Sequence, residues 1–310
     1  PHSEPMASEL TRRIAVAAIG IPLALLVIYM GGWALVLLIA IIAAAAALEF
    51  YRLAAHRGVR AFAGAGALLA TVPVLLAGFS PWAEFSATIA WGTFILASLL
   101  VLTSAIFFRG ADGQPLATAA VTVFGALFIG GTLSFAVLLR EMWVYPPAAA
   151  GLPEAGLVGP MDAAGRALLL LPLVLTWVND TAAYFGGRAM GRRKLIPAVS
   201  PGKTVEGAVW GVVGTAVAGA VYAHFVLSAW LGLPLGVLAG AVIGLVVSPV
   251  AQVGDLAESL LKREAGVKDS GTLLPGHGGV LDRFDSLFFT IPVTFWLLEI
   301  VLYRAQWPGG

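Results

Sequence analysis

The stretch from residue 254 to residue 285 concentrates charge in a chain that otherwise carries little of it. Ten of its 32 residues are Asp, Glu, Lys or Arg, whereas 11% of the whole chain is charged. Asp255 and Lys262 are spaced i, i+7, which places them on one face of a helix. Asp282 and Asp285 follow at i, i+3, where the last apolar run begins. Three carboxylates near Lys and Arg are the groups that a site for Mg²⁺ and phosphate requires.

A second polar cluster begins where the sixth apolar run ends, at Asn179 and Asp180. Carboxylates in or beside the hydrocarbon are costly and usually functional, although a polar pair that joins helices is the structural alternative. Five cations follow between Arg188 and Lys203. They either obey the positive-inside rule or bind lipid head groups or a triphosphate, and composition does not separate these readings.

The composition is that of a membrane protein. Of the 310 residues, 59% are hydrophobic, and the mean hydropathy is +0.92. A soluble domain would carry about 25% charged residues, so one large soluble domain is excluded. The net charge of +1 gives no field for nucleic acid, and the absence of Cys excludes disulfides and thiolate chemistry. The histidines show no metal-ligand spacing.

The apolar runs predict an all-α, polytopic integral membrane protein with about nine spanning helices. The predicted spans are 14–30, 33–48, 61–79, 87–108, 116–139, 167–184, 207–228, 230–253 and 286–303. We divide the chain into a tail or cloning remnant (1–13), N-terminal membrane helices (14–139), an extracytoplasmic loop (140–166) and C-terminal catalytic helices with their cytoplasmic loops (167–310).

The distribution of Lys and Arg predicts the orientation of these spans. With a cytoplasmic N-terminus, 15 of the 18 cations fall in loops on the cytoplasmic side. The other three are Arg140, Arg166 and Arg304. The polar site is therefore expected at the cytoplasmic side, where nucleotides and Mg²⁺ are present.

Three local sequence patterns are interpreted as structural features and not as catalytic motifs. The sequence Ser200-Pro-Gly-Lys-Thr204 is not a P-loop, because Pro197 stands where that motif has its first Gly, and membrane helices surround it. Ser200 instead predicts the N-cap of the seventh span, which Glu206 opens. Glu49, three residues before Arg52, is interpreted as half of an interfacial ion pair.

The pattern S-x-x-K-R-x(4)-K-D-x-G-x(2)-L-P-G-H-G-G-x-x-D-R-F-D runs from Ser259 to Asp285. It resembles the signature of the phosphatidate cytidylyltransferases, also called CDP-diacylglycerol synthases. The resemblance extends to Asn179-Asp180, to the block from Ser200 to Gly207 and to Gly254-Asp255-Leu256. It covers the C-terminal half of the chain, and it departs from many relatives at Gly202, where they carry a second Lys.

The resemblance implies Mg²⁺-dependent transfer of CMP from CTP to phosphatidic acid, which gives CDP-diacylglycerol and pyrophosphate in phospholipid biosynthesis. It also implies a homodimer in the inner membrane of a bacterial-type cell. The expected metal ligands are Asp255, Asp282 and Asp285, with a second cation possible. The expected catalytic residues are these three with Lys262 and Arg283. The expected substrate-binding residues are Asn179, Asp180, Ser200, Lys203, Glu206, Ser259, Arg263, Lys268, Asp269, His277, Gly278 and Gly279.

Less specific interpretations of the same residues remain open. Asp285 could be only a helix N-cap and Asp282 a turn former, while Lys268 and Asp269 could pair in solvent. A CTP-using lipid kinase or another head-group transferase is the alternative enzyme. A transporter is the alternative of another class, but it would spread polar residues across the membrane depth.

Overall fold

The fold is almost entirely helical, as the sequence predicts. The computed structural model describes residues 6–79, 83–142, 160–273, 276 and 278–304. The helices within these residues are α1 (Met6–Met30), α2 (Gly32–His56), α3 (Ala63–Ala77), α4 (Ala83–Phe108), α5 (Pro115–Ala126), α6 (Thr132–Glu141), α7 (Pro160–Met190), α8 (Val205–Tyr222), α9 (Val237–Ala265), α10 (Leu281–Phe284) and α11 (Leu287–Glu299). Three π-helical segments, Leu127–Gly131, Ala223–Trp230 and Ile300–Arg304, continue α5, α8 and α11.

Six helical stretches in the described part of the chain are long and apolar enough to cross a membrane. They are Gly32–His56, Pro115–Glu141, Asp162–Met190, Val205–Trp230, Val237–Ala265 and Leu281–Leu302. Three shorter apolar helices, Ala18–Met30, Ala63–Ala77 and Gly92–Phe108, lie within the other three predicted spans but are shorter than the six. Large apolar side chains are exposed on several of these helices, among them Leu100 (67%) and Val217 (58%). The prediction of an all-α membrane protein is confirmed.

The predicted loop 140–166 is shorter at both ends. Helix α6 continues to Glu141, and α7 already begins at Pro160. Pro is favourable in the first turn of a helix, where its missing N–H is not needed. The prolines Pro146, Pro147 and Pro153 lie outside the described residues.

The chain divides into two compact units. The first contains residues 1–137 and 261–284. In it α2 packs against α3, α5 and α10. Small residues make the close packing possible: Ala43, Ala46 and Ala47 are fully buried on α2. The Tyr51 hydroxyl donates to the Thr122 carbonyl at 2.7 Å, which ties α2 to α5.

The second unit contains residues 138–260 and 285–310. Helix α8 packs against α7, and α7 also packs against α11. Gly219 of α8 faces Gly240 of α9 so closely that a Cβ on either residue would overlap the other's carbonyl oxygen. Such small-residue contacts drive helix association in lipid, where there is no hydrophobic gain from burying apolar side chains.

A short antiparallel hairpin between α7 and α8 departs from the all-helical pattern. Strand β1 (Lys194–Ile196) pairs with β2 (Ser200–Thr204), with an irregular register between Lys194 and Ile196. The prediction that Ser200 caps the seventh span is wrong, because Ser200 lies in β2. The N-cap of α8 is Thr204, whose hydroxyl accepts from the Gly207 N–H at 3.1 Å.

Candidate active site

Three carboxylates of the second unit lie close together. Asp180 is in α7, Asp255 is in α9, and Asp285 lies two residues before α11. The charge of Asp255 acts on both Asp285 and Asp180, and the charge of Asp180 acts on Asp285, so the three carboxylates lie within electrostatic range of one another. We call these three residues the acid cluster. The sequence predicted Asp255 and Asp285 as metal ligands and Asp180 only as a substrate-binding residue.

Gly254 explains how Asp255 and Asp285 come together. A Cβ at position 254 would lie 2.8 Å from the Asp285 carbonyl oxygen and 2.9 Å from the Ser286 Cα. Only Gly therefore lets α9 approach the chain at Asp285 this closely. Asp285 is not the N-cap of α11, since Ser286 holds that position and donates its N–H to Asp285 Oδ1 at 2.5 Å.

The β-hairpin delivers one cation to the acid cluster. Lys203 Nζ lies 2.5 Å from Asp255 Oδ2, and both side chains are partly exposed. Glu206 holds the base of the hairpin, because its Oε2 accepts from the backbone N–H groups of Arg192 (2.9 Å) and Arg193 (3.1 Å). Glu206 thus positions Lys203 through the backbone instead of facing the cluster itself.

A buried hydrogen-bond network supports the cluster from α7 and α9. Asn179 is 1% exposed; its amide nitrogen donates to Asp180 Oδ1 at 3.1 Å, and its Oδ1 accepts from Ser248 at 2.6 Å. Gln252 donates to the Ala208 carbonyl at 3.1 Å and to Asn179 Oδ1 at 3.3 Å. On the other side, Ser259 Oγ donates to Asp255 Oδ1 at 3.3 Å.

An open cleft of about 520 Å³ lies beside these residues in the second unit. Its lining includes Asp180, Tyr184, Arg188, Lys203 and Asp255. Gly202 also lines it, and a Cβ there would meet nothing within 4 Å. The cleft thus combines two acids with two cations and has the size typical of small-molecule sites.

Asp282 has different surroundings, in the first unit. Its side chain is 5% exposed, and Oδ1 accepts from Lys262 Nζ at 2.7 Å. Its Oδ2 accepts from the Ser270 N–H (2.9 Å), the Ser270 hydroxyl (2.9 Å) and the Gly279 N–H (2.8 Å). An ionised carboxylate has about four lone-pair sites, so these donors occupy the acceptor capacity of Asp282.

Glu49 joins the same group of residues, and the prediction of an ion pair with Arg52 is wrong. Glu49 is 2% exposed, whereas Arg52 is exposed. The Glu49 carboxylate accepts from the Ser270 hydroxyl (3.0 Å) and from the N–H groups of Val280 (3.1 Å) and Leu281 (2.8 Å). These bonds span more than 220 residues of sequence.

The remaining predicted residues lie in the first unit around this group. Arg263, Lys268, Asp269 and Arg283 are exposed, and Lys268 and Asp269 form no ion pair with each other in the described structure. Gly278 adopts φ +83°, a left-handed conformation that favours Gly. His277 lies outside the described residues.

The donor chemistry of the acid cluster fits Mg²⁺. No group of three His, Asp or Glu side chains among the described residues is already arranged around one metal position. Mg²⁺ does not require such a cage, because it is usually bound by one or two carboxylates, water and substrate phosphates. Three mutually repelling carboxylates with one Lys partner leave an excess negative charge that a divalent cation would neutralise. Asp282 fits less well, because its oxygens already have donors.

Sequence reasoning missed Ser248, Gln252 and Glu49. The first two could have been found, since they continue the line of Asp255 and Ser259 along α9 at spacings of four, three and four. From the sequence, Glu49 is interpreted only as the partner of the neighbouring Arg52. No local sequence pattern predicts a contact between residues more than 220 positions apart.

The comparisons with known proteins agree with the signature. The model of the cytidylyltransferase family matches residues 11–301. The chain belongs to the cytidylyltransferase family. It is 35% identical over 305 residues to the phosphatidate cytidylyltransferase of Synechocystis, which covers 94% of this chain and 97% of that protein. It is 36% identical over 216 residues to the phosphatidate cytidylyltransferase of Bacillus subtilis (66% of this chain, 77% of that protein).

A third relative aligns over a smaller region. The chain is 43% identical over 138 residues to the phosphatidate cytidylyltransferase of Haemophilus influenzae, which is 44% of this chain and 48% of that protein. The family assignment made from the signature is therefore confirmed, and the protein is a nucleotidyltransferase of this family. The family match also includes the N-terminal helices, which the signature does not reach.

Proposed function

We propose that this protein transfers the CMP unit of CTP to phosphatidic acid and releases pyrophosphate, which makes it a phosphatidate cytidylyltransferase of phospholipid biosynthesis. The observation that carries the proposal is the acid cluster with Lys203 beside a cleft, in a chain whose near-full-length relative has that activity. The acids belong to helices that are apolar enough to span a membrane. A lipid substrate can therefore keep its acyl chains in the bilayer while its head group reaches the cleft.

The reaction needs no nucleophilic side chain. The second pKa of a phosphomonoester is about 6, so phosphatidic acid is already a dianionic nucleophile at neutral pH. One of its phosphate oxygens forms a bond to the α-phosphorus of CTP. The bond from that phosphorus to the oxygen bridging to the β-phosphorus breaks, and pyrophosphate leaves with its electron pair. The protein's task is to hold two polyanions in line.

Asp180, Asp255 and Asp285 would hold Mg²⁺. When bound, Mg²⁺ neutralises charge on the triphosphate and on the leaving pyrophosphate. Lys203 and Arg188 face the same cleft and bind phosphate oxygens. Asn179 fixes the orientation of Asp180, and Ser259 fixes that of Asp255. Phosphate binding by Lys262, Arg263 and Arg283 and a catalytic role for Asp282 stay predictions from the signature.

The direct test uses the purified full chain in detergent with labelled CTP, phosphatidic acid and Mg²⁺. We expect labelled CDP-diacylglycerol to form, and chelation of the divalent cation to abolish it until Mg²⁺ is restored. A folded preparation that phosphorylates a lipid from CTP without attaching CMP would identify a lipid kinase instead. Diacylglycerol in place of phosphatidic acid is the matched control substrate, since it lacks the nucleophilic phosphate.

For the topology, we propose nine spans with a cytoplasmic N-terminus and a site facing the cytoplasm of a bacterial-type inner membrane. Support comes from the charge count and from helices coinciding with each predicted span within the described residues. The short helix Ala63–Ala77 would extend only about 22 Å, so it requires local thinning of the bilayer or flanking residues to cross. A periplasm-active reporter fused after Tyr303 should be active, and a cytoplasm-active reporter there should not.

The homodimer implied by the family resemblance is also a proposal. Light scattering of the purified protein, corrected for bound detergent, should give twice the chain mass of 32.1 kDa. A mass equal to one chain at the concentration used in the activity assay would contradict it.

A further inference from the structure

The loop that carries most of the family signature is built around a carboxylate from a distant helix. This signature loop, residues 266–280, joins α9 to α10 in the first unit, and the structure describes its residues 266–273, 276 and 278–280. The Glu49 side chain reaches this loop from α2, which lies in the N-terminal half of the chain and outside the signature. Its carboxylate accepts from a hydroxyl and two backbone N–H groups of the loop and of Leu281, at 2.8–3.1 Å.

Two glycines of the signature make room for Glu49. A Cβ at Gly271 would overlap Glu49 Oε1, and a Cβ at Gly279 would overlap Glu49 Oε2 and Ser270 Oγ. Neither glycine has a positive φ, so backbone conformation does not explain their identity. Their lack of a side chain is explained by the carboxylate that fills the space. Gly279, which the resemblance predicts as a substrate-binding residue, thus contacts the Glu49 carboxylate.

Ser270 connects Glu49 to Asp282. Its hydroxyl lies 3.0 Å from Glu49 Oε2 and 2.9 Å from Asp282 Oδ2, while its N–H also donates to Asp282. One hydroxyl has one proton, so it serves the two carboxylates in turn. Both acids are thereby fixed by the same short segment of backbone. Removing the acceptor at Glu49 would leave buried N–H groups without a partner, which is costly.

We propose that Glu49 is a positioning residue for the cytidylyl transfer: it orders the signature loop and so fixes Asp282 and the Lys262 ammonium paired with it. The inference rests on the proposed function and on the prediction from the signature that Lys262 binds phosphate. It assigns the N-terminal helices a part in the reaction that is separate from spanning the membrane.

The test combines a local structural readout with kinetics, in the full chain in detergent. In Glu49→Gln, an NH₂ group replaces one acceptor and faces donors, so the amides of Gly279, Val280 and Leu281 should exchange hydrogen at least tenfold faster. The value of kcat for CMP transfer should fall by about 10²-fold, because small misplacements of reacting groups cost that much. The KM for CTP should stay within about twofold, since the cleft lined by Lys203 is unchanged.

Thr122→Val is the matched control. Thr122 is fully buried in the same unit, and its hydroxyl accepts from the Phe62 N–H at 3.0 Å and donates to the Thr118 carbonyl. It should lower thermal stability without faster exchange at Gly279–Leu281 and without loss of kcat. If Glu49→Gln does not fold, Ser270→Ala tests the same network with a smaller change and should shift both readouts in the same direction.

The outcomes separate the two proposals. Exchange at Gly279–Leu281 equal to that of the unmutated protein would overturn the role of Glu49 in ordering the loop. Fast exchange with full kcat would overturn its role in the reaction. If the unmutated protein makes no CDP-diacylglycerol, the proposed function fails, whereas the exchange measurement still reports on the loop.

Discussion

Asp255 and Asp282 are aspartates of one signature, yet their surroundings differ. Four donors surround Asp282, and its side chain is almost fully buried. Asp255 has Lys203 and Ser259 as partners, its side chain is one-third exposed, and its charge acts on the neighbouring Asp285. A carboxylate with its acceptors filled orders the residues that donate to it, Lys262 among them, whereas a partly exposed carboxylate near other acids has acceptor capacity left for a metal ion. Membership of the signature alone therefore does not distinguish an acid that positions other residues from an acid that binds a metal ion.

Removing the charge of Asp255 from the acid cluster should have the largest effect on activity. In Asp255→Asn we expect kcat for CMP transfer to fall by about 10³-fold, a loss typical of removing an electrostatic group that stabilises the transition state. Thermal stability should change little, because relief of the repulsion with Asp285 and Asp180 offsets loss of the partly exposed ion pair with Lys203. Ser259→Ala is the control and should cost less than tenfold. A strong destabilisation in Asp255→Asn would contradict the contrast with Asp282.

The reciprocal substitution is Asp282→Asn. It removes the charge that partners Lys262 and turns one acceptor into a donor facing the Ser270 and Gly279 N–H groups. We expect the free energy of unfolding to fall by about 3 kcal/mol, as when one member of a buried ion pair is lost. Unfolding in mixed micelles measures it. An Asp282→Asn variant as stable as the unmutated protein would show that the buried Asp282 carboxylate does not stabilise the fold.

A third substitution tests how the acid cluster is assembled. In Gly254→Ala, the new Cβ would press on the Asp285 backbone at 2.8–2.9 Å and separate Asp255 from Asp285. We expect kcat to fall by about 10-fold to 10²-fold, since displacement of a reacting group by about 1 Å has that effect. Gly236→Ala is the matched control in the same unit, because a Cβ at Gly236 meets nothing within 4 Å. Equal activity in the two variants would disprove the packing role of Gly254.

The smallest expected effect concerns the position at which this chain departs from many relatives. Gly202 lines the cleft with open space around it, so a Lys fits there without strain. Gly202→Lys should lower the KM for CTP by about threefold, the effect expected of one further partly exposed charge–phosphate contact. Gly202→Gln is the uncharged control. A rise in KM would show that the hairpin does not face the triphosphate.

The predictable part of this protein was the part encoded locally. Apolar runs predicted the helices, and the signature predicted the family. The structure places Asn179, Lys203 and Asp255 around one cleft. The hairpin was missed because Ser200 resembles an N-cap, whereas Thr204 has the hydroxyl that the α8 N-terminus uses. The partner of Glu49 could not be predicted, because it depends on how α2 packs against residues more than 220 positions away.

Divalent-cation binding tests the central claim most directly. We would measure Mn²⁺ bound to the purified protein by electron paramagnetic resonance, with Mn²⁺ standing in for Mg²⁺. The unmutated protein and Asp282→Asn, if folded, should bind Mn²⁺ with similar affinity, whereas Asp255→Asn and Asp180→Asn should bind at least tenfold more weakly. Loss of Mn²⁺ binding in Asp282→Asn together with full binding in Asp255→Asn would contradict the assignment of the cation to Asp180, Asp255 and Asp285.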